Sequence, residues 1–286
     1  MFGKVLAIEN TKILKQSIFR IELLISFLLI AGLMLALYAI SAGNVVDGSQ
    51  AQADSMIESV TWPGAFIQVL QLSSSSGLGA ILVIVLTGAV TAQEFQWRTL
   101  HLWLSRGVPR TAYALGKFAS LLLPVLLLVT AGLAAGSLTT AAASLSINGS
   151  LRLEQVDAAQ LVMGVFRTAY TLLPYAALTF LLAVLTRSSA AAIGIGMAVS
   201  LVGENLAAQL LSIMGGVFAE AVKFFPSSMA NEILQLNARI APALDTAGAS
   251  APLSPGAITS AAGILLYTAM FLALATWSLT RQDLTG

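Results

Sequence analysis

Six stretches of roughly 20 residues, each almost free of charge, limit what this chain can fold into more than any other feature. They cover residues 23–40, 72–91, 118–139, 169–185, 190–213 and 258–279. Each is long enough, as a helix, to cross a hydrocarbon core about 30 Å thick. Lipid offers no hydrogen-bond partners, so a crossing segment must satisfy its own backbone as a helix or join a closed barrel. The strict alternation of a barrel strand is absent. Composition agrees, with 57% hydrophobic and 9% charged residues, where a soluble domain carries about 25% charged residues. A large soluble enzyme would lack the charge to cover its surface, and a disordered chain would be far more polar. The expectation is an all-α polytopic membrane protein: one transmembrane domain over residues 1–286, with six transmembrane helices and no soluble domain.

Lys and Arg in the short loops set the orientation. With the N-terminus cytoplasmic, the inner segments hold Lys4, Lys12, Lys15, Arg20, Arg98, Arg106, Arg110, Lys117, Arg187 and Arg281. The outer segments hold Arg152, Lys223 and Arg239, and Arg167 lies near the start of span four. Both termini are therefore expected to be cytoplasmic. Ala39, Ser41 and Ala42 imitate a signal-peptide cleavage site, but the length of the first span favours a retained anchor. The net charge of +1 points to no nucleic-acid partner. With no cysteine and a single histidine, neither a metal site nor a cofactor is expected in this chain.

Between the spans, residues 1–22 form a cytoplasmic segment, read either as an interfacial helix or as a basic orientation signal running into span one. Residues 42–61 and 142–160 are polar outer loops, the second with a turn at Asn148-Gly149. Residues 215–256 form the longest excursion, an extracytoplasmic loop expected to hold one or two short helices. Gly132 and Gly136 in span three, and Gly194, Gly196, Ala198 and Ser200 in span five, are small residues that allow close helix approach, within the subunit in preference to a dimer seam. The Ser73–Ser76 run with Gly77 and Gly79 reads as a small-faced helix at the outer start of span two, with a loosened helix as the alternative.

The inner loop over residues 93–117 carries the most information. If 94–105 is helical, Glu94, Arg98, His101 and Ser105 fall on one arc, and Trp97, Leu100, Trp103 and Leu104 on the other. Glu94 and Arg98 are spaced for an i,i+4 pair. Such a helix is either an interfacial anchor, with Trp97 and Trp103 at headgroup depth, or a docking surface for a soluble partner.

Glu94-Phe95, Arg98-Thr99-Leu100, Leu104-Ser105-Arg106 and Gly116-Lys117 resemble the pattern of type 2 ABC exporter permeases. The six-span layout and the long segment between spans five and six resemble that family too. Trp97, where the family often has Gly, and the order Ser-Arg-Gly-Val-Pro-Arg over 105–110 depart from it and leave the docking register open. The resemblance implies a multi-pass protein of the prokaryotic cell (inner) membrane, paired with a second permease copy or homologue and with two cytoplasmic ATPase subunits. Those ATPases, not this chain, would bind ATP and Mg. The 93–117 loop would hold the coupling helix, with Glu94, Arg98 and Arg106 at family-matched positions and Trp97, His101 and Ser105 beside them. No stretch matches Gly-x-x-x-x-Gly-Lys-Ser/Thr, so by that route the chain is not its own ATPase.

Glu204 sits roughly 21 Å along span five at 1.5 Å per residue. A carboxylate at that depth needs pairing or hydration, which makes it a functional candidate. Asn205 and Gln209 extend its polar character, and Arg167 in span four is at a similar depth. A structural Glu204–Arg167 pair is the first expectation, a wall of the substrate path the second and a proton-coupling acid the third. Three functions compete: the permease of an ATP-driven exporter of small apolar, peptide-like or lipid-like cargo; an ion-gradient-driven secondary transporter; and an intramembrane enzyme. The last lacks His-Glu-x-x-His, Gly-x-Ser-x-Gly and paired deep aspartates.

Overall fold

The computed structural model describes residues 2–44, 57–97, 107–242, 244 and 255–281. Among them there is no strand, and six helical segments are long and apolar enough to cross a membrane. These are Ser17–Ser41, Leu78–Gln96, Arg110–Ile147, Ala158–Thr186, Ser189–Met214 and Gly256–Arg281. The chain is thus an all-α protein with the make-up of a multi-pass membrane protein.

Helix α1 (Phe2–Lys15) precedes α2 (Ser17–Asn44), which carries the first span. The two are separate helices, broken at Gln16, and α1 packs against the first turns of the third span. Its Glu9 and Ile13, four residues apart and so on one face, are both fully buried. Residues 1–22 are therefore more than a strip on the membrane surface.

Span two differs from the expected 72–91. Helix α3 (Gly64–Leu72) stops at Ser73, and α4 (Leu78–Gln96) starts after Gly77. The serine run is a helix break, not a small-faced helix. Ser74 Oγ donates to the Gln71 carbonyl at 2.7 Å, the Ser76 amide donates to Ser74 Oγ at 3.2 Å, and the Ser73 amide donates to the Val69 carbonyl. The Ser74 hydroxyl thus satisfies two backbone groups that a broken helix would leave orphaned. Gly79 makes the tight return possible, since a Cβ there would meet the Ser73 carbonyl oxygen at 2.0 Å.

Helix α5 (Arg110–Asn148) outruns the expected 118–139 at both ends, because its polar first turns pack against protein and not lipid. Gly149, at φ 68°, closes it in the left-handed cap expected of Asn-Gly. Gly132 and Gly136 face inward: a Cβ on Gly136 would lie 2.2 Å from Val69 Cγ2, and one on Gly132 would lie 2.5 Å from Ile30 Cδ1. Their use is therefore within the subunit.

Span four is two helices, α6 (Ala158–Thr171) and α7 (Leu173–Thr186), joined at Leu172 ahead of Pro174. Asp157 caps α6, its side chain accepting from the Ala159 and Gln160 amides. Span five comprises α8 (Ser189–Met197), a π-helical turn over Ala198–Gly203, and α9 (Glu204–Met214). The segment between spans five and six contains α10 (Gly216–Ala221) and α11 (Pro226–Leu234), and α12 (Pro255–Arg281) is the last span.

The core lies where α7 meets α4, α8 and α12, and along α5, with Phe180, Leu86 and Leu121 buried. Spans two, three and four are 67%, 50% and 61% buried within this subunit, whereas spans one, five and six are at 17%, 17% and 22%. The outer three thus turn large apolar faces outward, as lipid or another helix requires.

Candidate functional site

One end of the bundle holds a charged cluster shut away from solvent. Lys117, on the second turn of α5, has a fully buried side chain. Its Nζ donates to Glu9 Oε2 of α1 at 2.5 Å and to Glu94 Oε1 of α4 at 2.7 Å. Lys12 of α1 pairs with Glu94 and lies 3.7 Å from Glu9 Oε1, and the Tyr113 hydroxyl donates to Glu94 Oε2. Gln16 Nε2 donates to Gln93 Oε1 at 3.3 Å beside them. A buried charge is tolerable only when paired and hydrogen-bonded. Two lysines and two glutamates balance, so the group is neutral as a whole. Nearby, Arg110 donates to the carbonyls of Leu279 and Thr280 at 2.9 and 3.0 Å. That cation sits at the C-terminal end of α12, where the helix dipole favours it. Four chain segments are thereby tied together at this end: α1, the end of α4, the start of α5 and the end of α12.

A second site surrounds Glu204. The Tyr175 hydroxyl donates to Glu204 Oε2 at 2.9 Å, and the Ser227 amide donates to Oε1 at 2.6 Å. Ser227 lies in the first turn of α11, behind Pro226, so the carboxylate caps that helix from span five. Beside it lies a cleft of about 310 Å³ between span five and α12, with α7 as its floor and Phe225-Pro226 at one end. The π-helical turn, a form that recurs at functional sites, forms its wall immediately before Glu204.

A family described as "Protein of unknown function (DUF2705)" matches residues 57–285. The chain belongs to the DUF2705 family. No curated protein matches it. The matched residues span Glu94, Tyr113, Lys117 and Glu204, whereas Glu9 and Lys12 precede the match.

Of the residues expected to form the coupling surface of this DUF2705 protein, Glu94 and Trp97 are described. Arg98, His101, Ser105 and Arg106 lie outside the described residues. Trp97 caps α4 and is 60% exposed, while Glu94, one turn earlier, is buried at 1% exposure. Glu94 therefore does not belong to a partner-facing surface: its carboxylate is drawn inward by two lysines and a tyrosine. What the motif resemblance joined by sequence alone, Glu94 and Lys117, the structure joins by contact. Glu9 and Tyr113 were missed. Glu9 had a legible signal, an acid among apolar residues four positions from Ile13, but its partner 108 residues away had none.

The Glu204–Arg167 pair is not formed. Arg167 donates to the Leu236 carbonyl at 2.9 Å and to Gln160 Oε1 at 2.8 Å. It lines a different cleft, with Tyr170 and Ile258. Similar depth does not make two helices face each other, and here each charge reaches a different part of the segment between spans five and six. Asn205 and Gln209 are exposed and do not line the Glu204 cleft, and Asn205 Nδ2 donates to the Leu201 carbonyl of its own helix. Among the described residues no His, Asp or Glu group is arranged to hold a metal ion.

Proposed function

We propose that this chain is the membrane-spanning permease subunit of an ATP-driven exporter of the type 2 ABC class. It carries small, largely apolar cargo and is driven by separate cytoplasmic ATPase subunits that dock on the 93–117 loop. It works with a second permease copy or homologue, and both termini are cytoplasmic. The observation that carries this reading is the Lys117 bridge to Glu94 and Glu9. The loop joins the end of α4 to the start of α5. Both of its flanking helices are pinned to each other, and to α1, by buried ion pairs, one turn before the end of α4 and about two turns into α5. A push on such a loop moves α1, α4 and α5 as one block; without the pins it would be lost as local bending. The sequence holds no match to Gly-x-x-x-x-Gly-Lys-Ser/Thr, which is consistent with nucleotide hydrolysis in a partner subunit.

Pull-down of the tagged chain from its native membrane is the test. A nucleotide-binding ATPase should be retained, and reversing the charges at Arg98 and Arg106 together should weaken that retention. Cargo movement by the purified chain alone, in vesicles with an ion gradient and no nucleotide, would favour the secondary-transporter reading and sink this one.

A further inference from the structure

The Glu204 cleft has an unusual pairing of features for a cavity inside a membrane bundle. Its lining is apolar and aromatic, with Tyr175, Phe225, Tyr267 and Phe271 supplying four rings. Tyr267 and Phe271 stand as a pair with centroids 6.2 Å apart, and the Tyr267 hydroxyl is anchored by donation to the Phe224 carbonyl at 3.1 Å. One carboxylate, Glu204, opens onto the cleft, and no Lys, Arg or His lines it. Among the described residues no cation lies within ion-pair distance of Glu204. Its two recorded donors, a tyrosine hydroxyl and a helix-start amide, leave further acceptor positions on the carboxylate and no full positive charge beside it.

We infer that this cleft binds a small lipophilic monovalent cation, an ammonium with aryl or alkyl substituents. Aromatic faces attract such ions through their quadrupoles, most strongly when both are desolvated. The carboxylate supplies the charge that the site otherwise lacks. A zwitterionic lipid headgroup carries the same ammonium, but its phosphate would find no cation in this lining. The π-helical turn forms one wall of the cleft beside the carboxylate. This assignment rests on the exporter reading only for its consequence, since it names the cargo class. The binding itself requires neither ATPase nor nucleotide.

The experiment is equilibrium dialysis of radiolabelled benzyltrimethylammonium against the purified full-length chain in a non-ionic detergent, without nucleotide. Saturable binding is expected, with phosphocholine and neutral N-benzylacetamide failing to compete. Glu204→Gln, which keeps an acceptor for the Ser227 amide, should weaken binding about tenfold, and Phe271→Leu about fivefold, as loss of the charge and of one ring face predicts. The unfolding midpoint of each variant is recorded alongside, and should Glu204→Gln fail to fold, Phe271→Leu decides alone. No saturable binding, equal competition by N-benzylacetamide, displacement by phosphocholine, or unchanged affinity in a folded variant overturns the assignment. If the cation does not bind while the ATPase still co-purifies, the cargo class is wrong and the exporter reading survives; the reverse pattern separates the two the other way.

Discussion

Lys117 and Glu94 lie 23 residues apart, on either side of the loop between spans two and three, and their side chains meet at 2.7 Å with neither exposed. Glu9 completes the bridge from the first helix of the chain. The ends of the loop are thus fixed inside the protein, whatever the loop itself touches.

Replacing Lys117 with Met should be costly because it leaves two buried carboxylates, Glu9 and Glu94, with Lys12 as their one remaining lysine. Removal of one partner from a buried ion pair costs about 3–5 kcal/mol. The unfolding midpoint of the detergent-solubilised protein should fall accordingly, and adding Glu9→Gln and Glu94→Gln should recover much of the loss. If the triple variant is no more stable than Lys117→Met, the charges are not what the site balances.

Gly136→Ala should destabilise through the clash with Val69. The added Cβ would stand 2.2 Å from Val69 Cγ2, and overpacking of this kind costs about 1–3 kcal/mol. Val69→Ala in the same chain should relieve it. A neutral effect of Gly136→Ala in thermal unfolding would mean that α3 does not pack on α5 as described.

Arg167→Met and Glu204→Gln should act independently, since they share no partner. Each removes hydrogen bonds to a charged group, worth about 1.5–3 kcal/mol, and the double variant should match the sum within about 0.5 kcal/mol. A coupling of several times that size, measured in a double-mutant cycle, would restore the direct pair that the structure lacks.

The sequence has no cysteine, so single cysteines report topology without background. One placed at Trp97 should react with a membrane-impermeant maleimide only from the cytoplasmic side, and one at Gly149 only from the outside. The opposite pattern would invert the orientation and remove the ATPase docking site with it.

The crossing helices were legible because hydrophobic length is local: about 20 apolar residues in a row can do little else in lipid. Four of the six expected spans needed only longer ends. Two held interruptions that composition hides. The Ser73–Gly77 break and the Leu172 junction sit in sequence apolar or small enough to pass as continuous helix, and what accompanies the helix ends is hydrogen bonding by the Ser74 hydroxyl and a proline's missing donor. The short helices of 215–256 and the glycine cap at 149 were also legible, since Pro and Gly act on the backbone directly.

The sequence by itself determined six apolar stretches long enough to cross a membrane as helices, with a basic loop between the second and third. It also marked Glu204 as too polar for its depth, and it put Glu94 on a partner-facing arc and Lys117 at the start of span three. Which residues answer them was decided only by the tertiary structure. Glu94 turns inward to Lys117 and Lys12, and Glu204 turns to Tyr175 and the start of α11, not to Arg167. The reason is geometric. Depth along a helix follows from counting residues, but partnership depends on which faces two helices present to each other, and that rotation is set by packing far from either charge.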